Sequence, residues 1–70
     1  MAESVYKVIE LIGVSTESWE KAAASAVSRA GESLRDLRVA EVTDLDMTLD
    51  AGAVASYRAK VKVSFKYEED

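Results

Sequence analysis

Two close aspartates and a row of bases are the residues best spaced to do chemistry. Asp44 and Asp46 stand two apart in Leu37 to Leu49, LRVAEVTDLDMTL, and Asp50 follows at its end. Read at period two, Asp44 and Asp46 share one face of a strand, and hard cations take several carboxylate or carbonyl oxygens. Two carboxylates supply only part of such a shell, so symmetry copies, backbone oxygens or water would have to complete it; no EF-hand spacing is present. Taken singly, Asp44 is more often an ion-pair partner, here for Arg58 across a hairpin, with Asp46 solvated. Arg58, Lys60, Lys62 and Lys66 form a basic row. It would suit an anionic, nucleotide-like or coenzyme A-type ligand. Alternating lysines on a strand are more often a solvated face, and an exposed ion pair contributes little. There is no His and no Cys. The commonest general base, the commonest transition-metal ligand and the thiol nucleophile are therefore missing, and no spacing marks a Ser–Lys dyad. The expectation is a binding protein and not an enzyme.

Seventy residues make one domain, spanning 1–70. A chain this short buries only about 60% of its unfolded surface and is marginal alone. Without Cys, oligomerisation or a hard cation are the aids left. A net charge of −4 offers no basic stripe for phosphates, so nucleic acid is not an expected partner. MAESVYKV lacks the basic flank and apolar run of a signal peptide, and nothing approaches a membrane span. A soluble cytoplasmic protein is expected, with no membrane partner.

The elements that must position these residues read as β-α-β-β. Val5 to Val14 is rich in Val, Ile and Tyr and ends at Gly13. Both of its faces are mostly apolar, which asks for cover on both sides. Ser15 is the expected N-cap of a helix from Thr16 to Leu34, with Glu17 and Glu20 against its positive end. Trp19, Ala22, Ala23, Ala26, Val27, Ala30 and Leu34 form its apolar stripe, small enough for the helix to lie close on a sheet. Gly31 loosens or ends the last turn. Leu37 to Leu49 is a second strand, longer than most. Asp50-Ala51-Gly52 is a turn, read as three residues, which sets Asp44 opposite Arg58 and Val42 opposite Lys60. Val54 to Tyr67 is the third strand. Its apolar face is Ala55, Tyr57, Ala59, Val61, Val63, Phe65 and Tyr67, and the basic row lies on the other. Glu68-Glu69-Asp70 is a solvated acidic tail. The hairpin outreaches the helix, so part of the sheet would stay bare without symmetric partners.

VYKVIELIG, STESWEKAAASAVSRA, LRVAEV and VKVSF together resemble the dodecins over essentially the whole chain, most specifically at Gly13 to Trp19 and Ala40 to Val42. The resemblance implies an α+β protomer of three antiparallel strands wrapped around one helix, assembled into a hollow homododecamer. It also implies a non-enzymatic storage or buffering role, usually for a flavin such as FMN or riboflavin. In that family an aromatic residue before the Ala/Phe-Glu-Val run stacks on the flavin, and a Gln after the third-strand Tyr bonds its polar edge. Here those positions are Val39 and Arg58, neither of which does the same work. The implied pocket positions are Arg38, Val39, Asp44, Thr48, Tyr57 and Arg58. A subset of dodecins with Val-Ala at the stacking position is associated with calcium, for which Asp44 and Asp46 are the carboxylates on offer. Calcium, flavin in an altered or weaker pose, and a shell with no physiological ligand stand as the alternatives.

Overall fold

The structure is a computed structural model that describes residues 3–67, so the acidic tail at 68–70 lies outside the described residues. Strand β1 is Tyr6–Ser15, helix α1 is Trp19–Ser33, β2 is Leu37–Asp50 and β3 is Ala53–Lys66. All pairings are antiparallel and the sheet order is β1-β3-β2, with the last strand in the middle. That place suits β3, whose alternation is the most regular and whose apolar face meets neighbours on both sides.

The helix lies on the face of β3 carrying Ala59, Val61 and Val63, all buried. Its own buried residues are Ala22, Ala26 and Ala30, with Ala23 and Val27 beside them. Ile9 and Leu11 complete the core from β1 and Leu37 from β2. Four of these six buried side chains are methyl groups, so the helix axis comes close to the sheet. Gly13 makes this possible: a Cβ there would stand 1.9 Å from the carbonyl oxygen of Ala22.

The helix begins later than expected. Its N-cap is Ser18, whose Oγ accepts from the Lys21 amide at 3.0 Å. Ser15 instead holds the turn before it, its Oγ accepting from the amides of Glu17 at 3.0 Å and Ser18 at 3.4 Å. Glu17 precedes the helix and pairs with Lys21. Gly31 lies inside the last turn, and Leu34 closes the helix by donating to Ala30 O at 3.0 Å.

The hairpin also departs from the expected register. Its loop has two residues, Ala51 and Gly52, both left-handed (φ 53° and 81°), because Asp50 still pairs with Ala53. Positive φ at both centres is the type I′ arrangement that matches strand twist. The shorter loop moves the register by one residue and an extra residue in β3, Ala55, moves it by another, so Asp46, not Asp44, faces Arg58, Asp44 faces Lys60, and Val42 faces Val61. The alternation of β2 shifts between Leu37 and Val39, between Val42 and Asp44, and between Thr48 and Leu49. The first two insert Arg38 and Thr43 into β2 and each reverses the phase of its face, while the third inserts Ala55 into β3. As a result Leu37, Ala40, Val42, Leu45 and Met47 share the core side, while Val39, Glu41, Asp44, Asp46 and Thr48 share the outer side. A simple odd–even reading misassigns Val39, Ala40, Glu41 and Val42.

The molecule measures 55 × 20 × 14 Å, with a radius of gyration of 14.6 Å. A compact chain of this length would have about 11 Å. Fourteen-residue strands reach well past a fifteen-residue helix. Leu45, Met47, Leu49 and Val54 lie exposed along the hairpin, and Tyr6, Val8, Ile12 and Val14 along β1. No helix among the described residues is long and apolar enough to cross a membrane.

Candidate functional site

The outer side of β2 and β3 is a ladder of opposite charges. Lys62 stands between Glu10 of β1 and Glu41 of β2, Lys60 faces Asp44, and Arg58 faces Asp46. One of these pairs is closed. Arg58 Nε donates to Asp46 Oδ1 at 2.7 Å and Arg58 Nη2 to Asp46 Oδ2 at 2.8 Å, a bidentate fork. The hydrogen bonds from Arg58 hold the Asp46 carboxyl below its ordinary range, and those to Asp46 push the guanidinium still higher. Three of the four bases in the row, Arg58, Lys60 and Lys62, thus face acids across the strand, while Lys66 faces Tyr6. Asp44, next but one to Asp46 on the same side, makes no ion pair among the described residues.

Asp46 is held from a second direction. Trp19, at the first turn of the helix, donates its Nε1 hydrogen to the backbone oxygen of Asp46 at 3.0 Å. Its ring meets Tyr57 edge to face, with centroids 5.1 Å apart and planes at 71°. Trp19 belongs to the apolar stripe as expected, but it is only half-buried. With Glu20, Ala23, Val42 and Leu45 it lines an open apolar groove of about 460 Å³. The contact spans 27 residues of chain, and no local pattern in the sequence marks it. Thr43 is a second unforeseen participant: at the bulge, its Oγ1 donates to Lys60 O at 3.3 Å.

The six expected pocket positions do not form one pocket in a single chain. Arg38 and Val39 sit at the bulge that opens β2, lining a hollow of about 190 Å³ with Val27, Leu37, Ala40 and Val63. Val39 is exposed, and its carbonyl accepts from Ser64 Oγ at 3.4 Å. Asp44, Thr48 and Arg58 lie further along the outer side, where Thr48 Oγ1 and Ser56 Oγ are 2.6 Å apart. From the partner of Val39, Ser64, to Arg58 is six residues of strand, about 20 Å at the usual rise. Arg58 is therefore not near Val39 within the protomer. Tyr57 turns to the helix side against Trp19, away from Arg58. For the proposed metal ligands, Asp44 and Asp46 do share a face, but no group of three or more carboxylates converges among the described residues.

The comparisons bear on what such a surface serves. The calcium dodecin of Mycobacterium tuberculosis is 56% identical over 63 residues, covering 90% of this chain and 89% of that protein. Its crystal structure, described as that of a calcium-chelating immunodominant antigen with a novel calcium-binding site, superposes with a TM-score of 0.83 at 53% identity over 96% of each chain. The dodecin of Thermus thermophilus is 38% identical over 65 residues, covering 93% of this chain and 94% of its own. The dodecin structure from Streptomyces coelicolor superposes with a TM-score of 0.92 at 34% identity, over the whole of both chains. The dodecin family model matches residues 5–68. With that match, the shared β-α-β-β sheet and the relatives just described, the chain belongs to the dodecin family.

Proposed function

We propose that copies of this chain assemble into a hollow homododecameric shell that binds and stores calcium, without catalysing a reaction. The observation that carries the calcium reading is Asp44. Its carboxylate stands exposed on the outer side without an ion pair among the described residues, while the neighbouring Asp46 is already neutralised by Arg58. A calcium ion takes about 6–8 oxygens. Asp44 supplies one or two of them, and a neighbouring copy, backbone carbonyls or water complete the shell. The likeness to the calcium dodecin of Mycobacterium tuberculosis supports this choice of ion. The long bare hairpin supports the assembly, since its exposed apolar residues need copies of the chain to cover them.

Flavin is the alternative ligand. Val39 offers no ring to stack, and Arg58 is engaged by Asp46, so FMN or riboflavin would bind in another pose and weakly. The test starts from the purified oligomer stripped with a chelator. Calcium chloride titrated into it should release heat, and Asp44→Asn should abolish most of that heat. No heat in the unmodified protein overturns the calcium reading. Stoichiometric quenching of FMN or riboflavin fluorescence would replace calcium with flavin, and silence in both titrations would leave a purely structural shell. Size exclusion precedes both, since a stable monomer contradicts the assembly.

A further inference from the structure

Asp46 is gripped from both sides of the sheet. Its carboxylate takes the Arg58 fork on the outer side, and its backbone oxygen takes the Trp19 indole hydrogen from the helix. The helix touches β2 far less than it touches β1 or β3. β2 is an edge strand of the protomer, and its pairing is irregular just before Asp44. An edge strand with a bulge slides and frays more readily than a central one. The segment that carries both aspartates thus lies on an irregular edge, and the Trp19 hydrogen bond ties it to the helix.

We infer that Trp19 is a positioning residue for the cation-binding segment: its indole N–H clasps the Asp46 carbonyl and fixes where Asp44, two residues away, presents its carboxylate. The inference rests on the calcium reading above for the ligand, and on the hydrogen bond and ring contact for the mechanism. A side chain needed only to fill the groove beside Ala23, Val42 and Leu45 could be Leu or Phe. The indole adds one directed donor, and that donor is used at 3.0 Å on an oxygen 27 residues away. The edge-to-face contact with Tyr57 sets the plane of the ring, which aims the N–H. The clasp is neutral, so it orders the acidic segment without consuming any of its charge.

The test uses the intact oligomer and Trp19→Phe, which keeps an aromatic ring beside Tyr57 and removes the donor together with part of the indole's bulk, with Trp19→Leu as a control that removes the donor and the ring alike. Amide exchange read without calcium should quicken across residues 43–47 and stay unchanged in the β1–β3 pairing. The affinity for calcium chloride should fall by roughly three- to tenfold, the size expected for one neutral hydrogen bond. Trp19 is the only tryptophan, so its emission in the unmodified protein should also shift on calcium addition. Exchange that does not change in Trp19→Phe overturns the clasp. Quickened exchange with unchanged calcium affinity overturns its role in positioning. An unmodified protein that binds no calcium overturns the calcium reading instead, and the exchange data still judge the clasp.

Discussion

Asp46 and Arg58 are both part-exposed, at 54% and 39% of side-chain surface, so their fork orients the two groups more than it stabilises the fold. It still leaves a pH signature. The folded Asp46 carboxyl sits below its ordinary value because Arg58 bonds its charged form. A depressed carboxyl contributes stability that is present above its unfolded value, about 3.9, and lost as pH falls through the folded one. Thermal midpoints followed below about pH 4 should therefore fall more steeply in the native chain than in Asp46→Asn. The same scale holds the flavin question. Val39→Trp with Arg58→Gln should restore a stacking plane and an amide, raising flavin affinity up to about tenfold by fluorescence quenching. Because the two positions are far apart along one protomer, the gain should appear only in the assembled protein. Equal quenching by a dissociated protomer would contradict that geometry.

Among the elements, the helix–sheet contact and the hairpin turn each hang on one small residue. Gly13 admits the Ala22 carbonyl where any side chain would collide with backbone. Gly13→Ala should therefore cost about 1–3 kcal/mol or more in denaturant unfolding, as overpacking does. An unchanged midpoint would mean that the helix can move away freely. At the hairpin tip the strain runs the other way. Ala51 occupies a left-handed conformation that costs an alanine about 1–2 kcal/mol. Ala51→Asn, giving the favoured Asn-Gly pair, should stabilise by about 0.5–1 kcal/mol in the same measurement. A loss of stability there would rule out the type I′ turn.

As a whole molecule the protomer is a rod with a thin core. Among the described residues four alanines and two valines make up the buried apolar set, while twelve large apolar side chains remain exposed. A chain with so thin a core is marginal alone, and the proposed assembly would add the stability that its own packing lacks. Val8 faces away from the protomer's own core, on a strand whose inner face is already packed. Val8→Glu should leave the secondary structure intact and shift size exclusion from near twelve times the 7.6 kDa protomer mass to smaller species. Elution of the variant at the full assembled size would show that this stripe is not an interface.

The sequence by itself determined the element order, the apolar stripe of the helix and the inner face of β3. These follow from periodicity, which is local: Ala22, Ala26, Val61 and Val63 stand where their spacing puts them, and burial follows. The likeness at Gly13 to Trp19 and Ala40 to Val42 was also legible, and so was the pairing of Asp44 and Asp46 on one side. The partners of those aspartates were not. A two-residue loop in place of three, with an extra residue at Ala55 of β3, moved Arg58 from Asp44 to Asp46, and two bulges in β2, at Arg38 and Thr43, reversed its face along its length. Register is a cooperative choice between two strands, set by turn geometry and by which side finds the helix. Only the tertiary structure could also join Trp19 to Asp46, since that bond depends on where a helix end lands on a strand 27 residues away. The same holds for the separation of Val39 from Arg58, which makes any site that needs both a property of more than one copy.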